Sequence, residues 1–90
     1  QKIEVLPLLA NMEAAWTVPQ GIASIEITPR TDADIRMAYE VGETEDGDTK
    51  KYWPINPDWW PQQIIKWPYG KKIYFRCAVN NILVFHYGVE

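Results

Sequence analysis

Between residues 21 and 41 apolar side chains recur at every second position, and that period restricts the chain to extended structure. Ala23, Ile25 and Ile27 share one side, with Ser24, Glu26 and Thr28 on the other; further on, Ile35, Met37, Tyr39 and Val41 alternate with Asp34, Arg36, Ala38 and Glu40. A helix would need a period near 3.6. Between the two runs, Pro29-Arg30-Thr31-Asp32-Ala33 holds one residue without a ladder donor and several that favour turns, which predicts an antiparallel hairpin.

The same period returns elsewhere. Residues 2–6 set Ile3 and Val5 against Lys2 and Glu4, a short strand at a sheet edge before Pro7 interrupts the ladder. Residues 8–15 contain good helix formers, but the segment is short and runs into the alternation of Ala14, Trp16 and Val18, so residues 13–18 are expected to be a strand. Pro19-Gln20-Gly21 marks a turn, and residues 62–67 are strand-like. After the turn at Pro68-Tyr69-Gly70, Ile73, Phe75, Cys77 and Val79 face one way and Lys72, Tyr74, Arg76 and Ala78 the other. Asn80-Asn81 tolerates the positive φ angles of a two-residue turn and predicts a second hairpin into residues 82–87. That last strand is apolar on both faces, Leu83, Phe85 and Tyr87 on one and Ile82, Val84 and His86 on the other, so both faces should be covered. Seven to eight short strands separated by turn signals predict an all-β fold, a small antiparallel β-sandwich of jelly-roll-like or Ig-like type that occupies residues 1–90 as one domain.

Two segments break the pattern. Residues 42–51 are polar and offer nothing to bury, which predicts a solvated loop; the Asp46-Gly47-Asp48 run suggests calcium, but its spacing is not that of an EF-hand and a surface turn is the preferred reading. Residues 52–61 combine three prolines with Tyr52, Trp53, Trp59 and Trp60 and are expected to form a stiff aromatic loop rather than a central strand. Three roles stay open for those rings: closing one end of the sandwich, anchoring a protein interface, or stacking on sugar rings.

Composition narrows the function. A net charge of −3 without a basic stripe argues against nucleic acid as a ligand. The apolar runs fall well short of the roughly 20 residues of a spanning helix, and no secretion-type leader is expected. One cysteine permits neither an internal disulfide nor a cysteine metal cage, and Cys77 alternates onto an apolar face as a core residue. His86 sits in the most apolar strand with no nucleophile or acid at a recognisable spacing, so a packed or interface role is expected. Glu26, Asp34 and Glu40 lie on solvent faces. The expectation is a chain with no catalytic residues, cofactor or metal, whose binding residues are Tyr52, Trp53, Trp59, Trp60, Ile82 and Val84.

Residues 16–30, WTVPQGIASIEITPR, followed by Ala33-Asp34-Ile35-Arg36 and later by Ile73-Tyr74-Phe75 before an aliphatic and aromatic last strand, resemble the pattern of small β-sandwich virion proteins of tailed bacteriophages. The resemblance covers residues 13–42 and 71–88. It implies a non-enzymatic structural role: a capsid decoration or cement protein, or a small tail or neck component. It further implies assembly in the host cytoplasm into a multi-copy or homo-oligomeric array on the virion, with the major capsid protein or other virion proteins as partners and no nucleic acid or membrane. The competing class is a carbohydrate-binding module or small tail or neck adaptor that uses the aromatic segment from Trp53 to Trp60.

Overall fold

The computed structural model describes residues 2–20, 22–55, 62–65 and 70–89. Among them are eight strands and no helix: β1 (Lys2–Leu8), β2 (Ala14–Thr17), β3 (Ile22–Pro29), β4 (Ile35–Ala38), β5 (Tyr52–Ile55), β6 (Gln62–Ile65), β7 (Lys72–Cys77) and β8 (Asn81–Val89). They make two four-stranded antiparallel sheets, ordered β1-β8-β3-β6 and β2-β7-β4-β5. The small antiparallel sandwich is therefore present, and its connectivity follows a simple rule. The first strand pairs with the last, the second with the seventh, the third with the sixth and the fourth with the fifth. That is one long hairpin rolled up, with β3–β8 and β4–β7 as the contacts that close each sheet. Such a roll is the eight-stranded jelly roll rather than the Ig arrangement.

Both expected hairpins are corrected by this pairing. β3 lies against β6 and β8 while β4 lies against β5 and β7, so residues 30–34 cross from one sheet to the other instead of reversing within one. Likewise β7 and β8 belong to different sheets. Period-two alternation fixes which side chains of a strand face the core, but a short polar connection serves a crossover between packed sheets as well as a turn within one. Asn81 is not a turn apex at all: it opens β8, is 5% exposed, and grips the 30–34 crossover by accepting from Thr31 N–H at 3.0 Å and donating to Thr31 C=O at 2.9 Å.

The core is the set of inward positions on both sheets. Ile25, Ile27, Leu83, Phe85 and Tyr87, with Leu8, meet Trp16, Ile35, Met37, Ile55, Ile73, Phe75 and Cys77. Trp16 stacks flat on Phe85 with centroids 4.0 Å apart and planes 3° apart, and Phe75 meets Phe85 edge-on at 5.6 Å. Three features go beyond the expected pattern or depart from it. In β1 it is Leu6 and Leu8 that face the core, so alternation carries Ile3 and Val5 outward, 68% and 48% exposed, and puts Glu4 on the side of Phe85. There Glu4 accepts the hydrogen bond of the Tyr87 hydroxyl, which, together with burial and the Glu4 charge, pushes that phenol up to about 12. Pro7 does not interrupt β1, because an edge strand has one side with no ladder partner. At the other extremes, β4 ends at Ala38 and β7 at Cys77, which leaves Tyr39, Val41 and Val79 exposed rather than in line with the core.

Candidate interaction surfaces

The expected binding residues fall on two different sheets. On the outer face of the first sheet, β1 lies beside β8 with Val5 opposite Val84 and Pro7 opposite Ile82, and Ile3 opposite His86. Ile82 and Val84 are half-buried here, next to the exposed Ile3 and Val5. The row continues across β3 as Thr28 opposite Val84 and Glu26 opposite His86, where His86 Nδ1 stands 3.9 Å from the Glu26 carboxylate. His86 is thus on the outer face beside an acid that sequence spacing does not reveal. This outer face combines an apolar row at the sheet edge with a polar one further in.

Tyr52 and Trp53 belong to the second sheet. Residues 52–55 are not loop, as expected, but the edge strand β5, whose register sets Ile55 against Ile35 in the core and Pro54 against Arg36. An edge accepts Pro54 because one side of the strand has no ladder to serve. Trp53 is 57% exposed, and Tyr52 is half-buried beneath the Arg36 guanidinium, whose carbon lies 4.7 Å from the ring centroid. Trp59 and Trp60 lie outside the described residues. The structure therefore does not bring Ile82 and Val84 together with Tyr52 and Trp53.

A third feature was not expected: a polar cluster on the outer face of the second sheet. Arg36 of β4 and Arg76 of β7 stand directly opposite each other. Two like charges in that position destabilise a sheet unless something answers them. The answer is the segment 42–46. Thr44, expected in a loop with nothing to bury, is fully buried; its carbonyl accepts from Arg36 Nη1 at 3.0 Å and its hydroxyl accepts from Arg76 Nε at 3.2 Å. The same hydroxyl donates to Glu13, whose other oxygen accepts from Gly42 N–H at 3.0 Å, and Asp46 ion-pairs with Arg36 at 2.7 Å. Arg76 Nη1 donates to the carbonyl of Asn11. Gly42 sits at φ +82°, a conformation open to glycine without cost, and so turns the chain onto the sheet. Beside the arginines opens a cavity of about 440 Å³ lined by Asn11, Asp34, Arg36, Glu45, Asp46, Arg76 and Ala78. Asp46, considered above as a calcium ligand, is engaged with an arginine, and among the described residues no three His, Cys, Asp or Glu converge to hold a metal ion. The cluster depends on cross-strand register, which the sequence does not display.

Glu13 makes the cluster pH-sensitive. Partial burial pushes its carboxyl up, but the hydrogen bonds from Gly42 and Thr44 and the charge of Arg76 outweigh that and hold it below the ordinary carboxylate value. A lowered folded-state value means that the stabilisation is complete above the ordinary range and is lost as pH falls through the lowered value. Melting temperature is expected to fall on acidification from neutral pH to about pH 3, and less steeply in Glu13→Gln. Equal acid-side slopes for the two chains would show that Glu13 does not anchor the loop.

Compared with known proteins, the chain matches no family model, no curated protein and no solved structure.

Proposed function

We propose that this chain is a non-enzymatic virion structural protein, a capsid decoration protein of a tailed bacteriophage, which binds neighbouring capsid subunits through the outer face of its first sheet. The observation that carries the proposal is the row of Ile3 and Val5 at the exposed edge strand, continued by half-buried Ile82 and Val84. Full burial of an exposed aliphatic side chain is worth roughly 1.5–3 kcal/mol, and these partly exposed ones gain about half of that or less each, so the row as a group favours a protein contact over solvent. Lys2, Glu4 and Pro7 guard the β1 edge against strand-on-strand pairing, so the contact is assigned to the outward side chains of the face and not to the backbone of the edge. Jelly rolls recur in viral capsids and in lectins; that is an analogy of fold, and it adds to the surface argument without replacing it.

Val5→Asp is expected to keep the fold, since the side chain is about half-exposed, and to weaken incorporation into particles about tenfold, the size of a well-packed interface residue. The measurement is occupancy on purified particles against free protein concentration. Normal occupancy in this variant would overturn the assignment of the face. One observation favours the second reading, a carbohydrate-binding module: Trp53 stands 57% exposed on β5. Loss of polysaccharide binding in Trp53→Ala, with incorporation intact, would promote it.

A further inference from the structure

The cross-strand arginine pair carries an inference beyond the contact assigned to the first sheet. We infer that Arg36 and Arg76 form a carboxylate-binding site, occupied in the free chain by its own Asp46 and opened when an acidic side chain of a partner protein takes the place of Asp46. It rests on the proposed function only for the partner being a protein.

The argument starts from how differently two neighbouring residues of the loop are held. Thr44 is fully buried, bridges both arginines and Glu13, and fastens the loop to the sheet. Asp46 is on the surface, its side chain 94% exposed, and touches the cluster through the ion pair with Arg36 Nη1. Asp46 can therefore leave without uncovering any core and without freeing the loop. An exposed ion pair is worth little, so the exchange costs little.

The receiving groups are already oriented. The Arg36 guanidinium carbon lies 4.7 Å from the Tyr52 ring centroid, a cation–π contact that helps to hold the group in place. Arg76 stands opposite in register, with Nε on Thr44 and Nη1 on the Asn11 carbonyl. A guanidinium carries five donors in a planar fork, more than these bonds use, and the fork matches a carboxylate. The cavity of about 440 Å³ opens beside both and gives room for the incoming side chain.

Charge sets the class of ligand. Arg36, Arg76 and Lys50 are balanced by Glu13, Asp34 and Glu45, the last 3.8 Å from Lys50, once Asp46 is set aside. The site thus holds one negative charge beyond neutrality in its resting form; a displaced Asp46 stays on the tethered loop but turns into water, where its charge is screened, and one incoming carboxylate takes over its ion pair with Arg36. A phosphate dianion would add a further charge beside Asp34 and Glu45. A lysine side chain would be drawn to those two acids but would have to lie against two guanidinium groups.

The test is a titration of the full chain, at low salt, with capped Gly-Glu-Gly, followed by NMR at the arginine Nε–Hε groups. Capped Gly-Gln-Gly, capped Gly-Lys-Gly and inorganic phosphate are run in parallel. Saturable shifts at Arg36 and Arg76 are expected with the glutamyl peptide alone. Asp46→Asn, a surface change, should tighten binding about threefold, as removal of an exposed competing ion pair predicts. Arg36→Lys, which keeps the charge and loses the fork, should weaken it about tenfold. The absence of a saturable shift in both the parent and Asp46→Asn, or tighter binding of the lysyl peptide or of phosphate, would overturn the inference. Because no particle enters this measurement, its failure leaves the first-sheet contact standing, and normal occupancy of the Val5→Asp variant leaves this site standing.

Discussion

Phe85→Ala is expected to cost about 3–5 kcal/mol of unfolding free energy, the range for truncation of a fully buried aromatic ring. Phe85 has no exposed surface and lies between the sheets, flat against Trp16 at 4.0 Å and edge-on to Phe75 at 5.6 Å. Its removal takes away the transfer energy of the ring and leaves a void that Trp16, stacked on it, and the short β2 that carries Trp16 cannot easily fill. The Trp16 Nε1–H is buried and has no hydrogen-bond partner among the described residues, so Trp16 contributes there through packing. For a chain of this size, about 1 kcal/mol corresponds to roughly 4–8 °C in melting temperature, so the variant should melt at least ten or so degrees lower or not fold. Denaturant unfolding of the parent and the variant provides the measurement. A loss below about 1 kcal/mol would mean that the ring is not part of the inter-sheet core.

The placement of Phe85 was legible in the sequence, and so was most of what depends on a single strand. Ile25 and Ile27, or Ile73, Phe75 and Cys77, can be assigned to a core face because consecutive side chains of a strand point to opposite sides wherever the strand lies. β1 shows the limit of that argument. Ile3 and Val5 are as apolar as Leu6 and Leu8, and alternation alone allows only Val5 or Leu6 inward, not both; the longer pairing with β8 brings Leu6 and Leu8 onto the core and turns Ile3 and Val5 out. The residues that form the candidate contact are those whose direction the local pattern leaves open.

Strand pairing was less legible still, because it depends on partners distant in the chain. Rolling the long hairpin sets β4 beside β7 and so places Arg36 opposite Arg76, while β2 brings the preceding Glu13 to the same margin. No one of these segments signals the others. Thr44 looked like one more polar residue in an acidic loop, yet a hydroxyl that both donates and accepts is suited to link a carboxylate to a guanidinium, as it does between Glu13 and Arg76. Its burial is a consequence of the arginine pair and not of hydrophobicity. The aromatic segment was legible only as stiff: its first four residues turned out to be an edge strand, which separates Trp53 from the face that carries Val84.

Asn81→Ala is expected to cost about 2–4 kcal/mol, and the neighbouring Asn80→Ala much less, about 0.5–1.5 kcal/mol. A two-residue hairpin turn would make the two asparagines equivalent, each chosen for its tolerance of positive φ. In the jelly roll they have separate duties. Asn80 is exposed and accepts one hydrogen bond, from Ala10 N–H at 2.8 Å, which water can replace. Asn81 is buried and satisfies three backbone groups: it accepts from Thr31 N–H at 3.0 Å and from Ile82 N–H at 2.8 Å, and it donates to the Thr31 carbonyl at 2.9 Å. It therefore ties the crossover that follows β3 to the start of β8, at the point where the chain passes between sheets. Truncation to alanine leaves those backbone groups without their partner in a place of limited access to water, and the cost of an orphaned buried group exceeds the net worth of the bond it lost. Asn81→Asp should be no milder, since it keeps the two acceptor bonds but turns a carboxylate oxygen toward the Thr31 carbonyl. Urea denaturation of the single variants decides the matter: equal losses for Asn80→Ala and Asn81→Ala would restore the hairpin and remove the crossover on which the rolled connectivity depends.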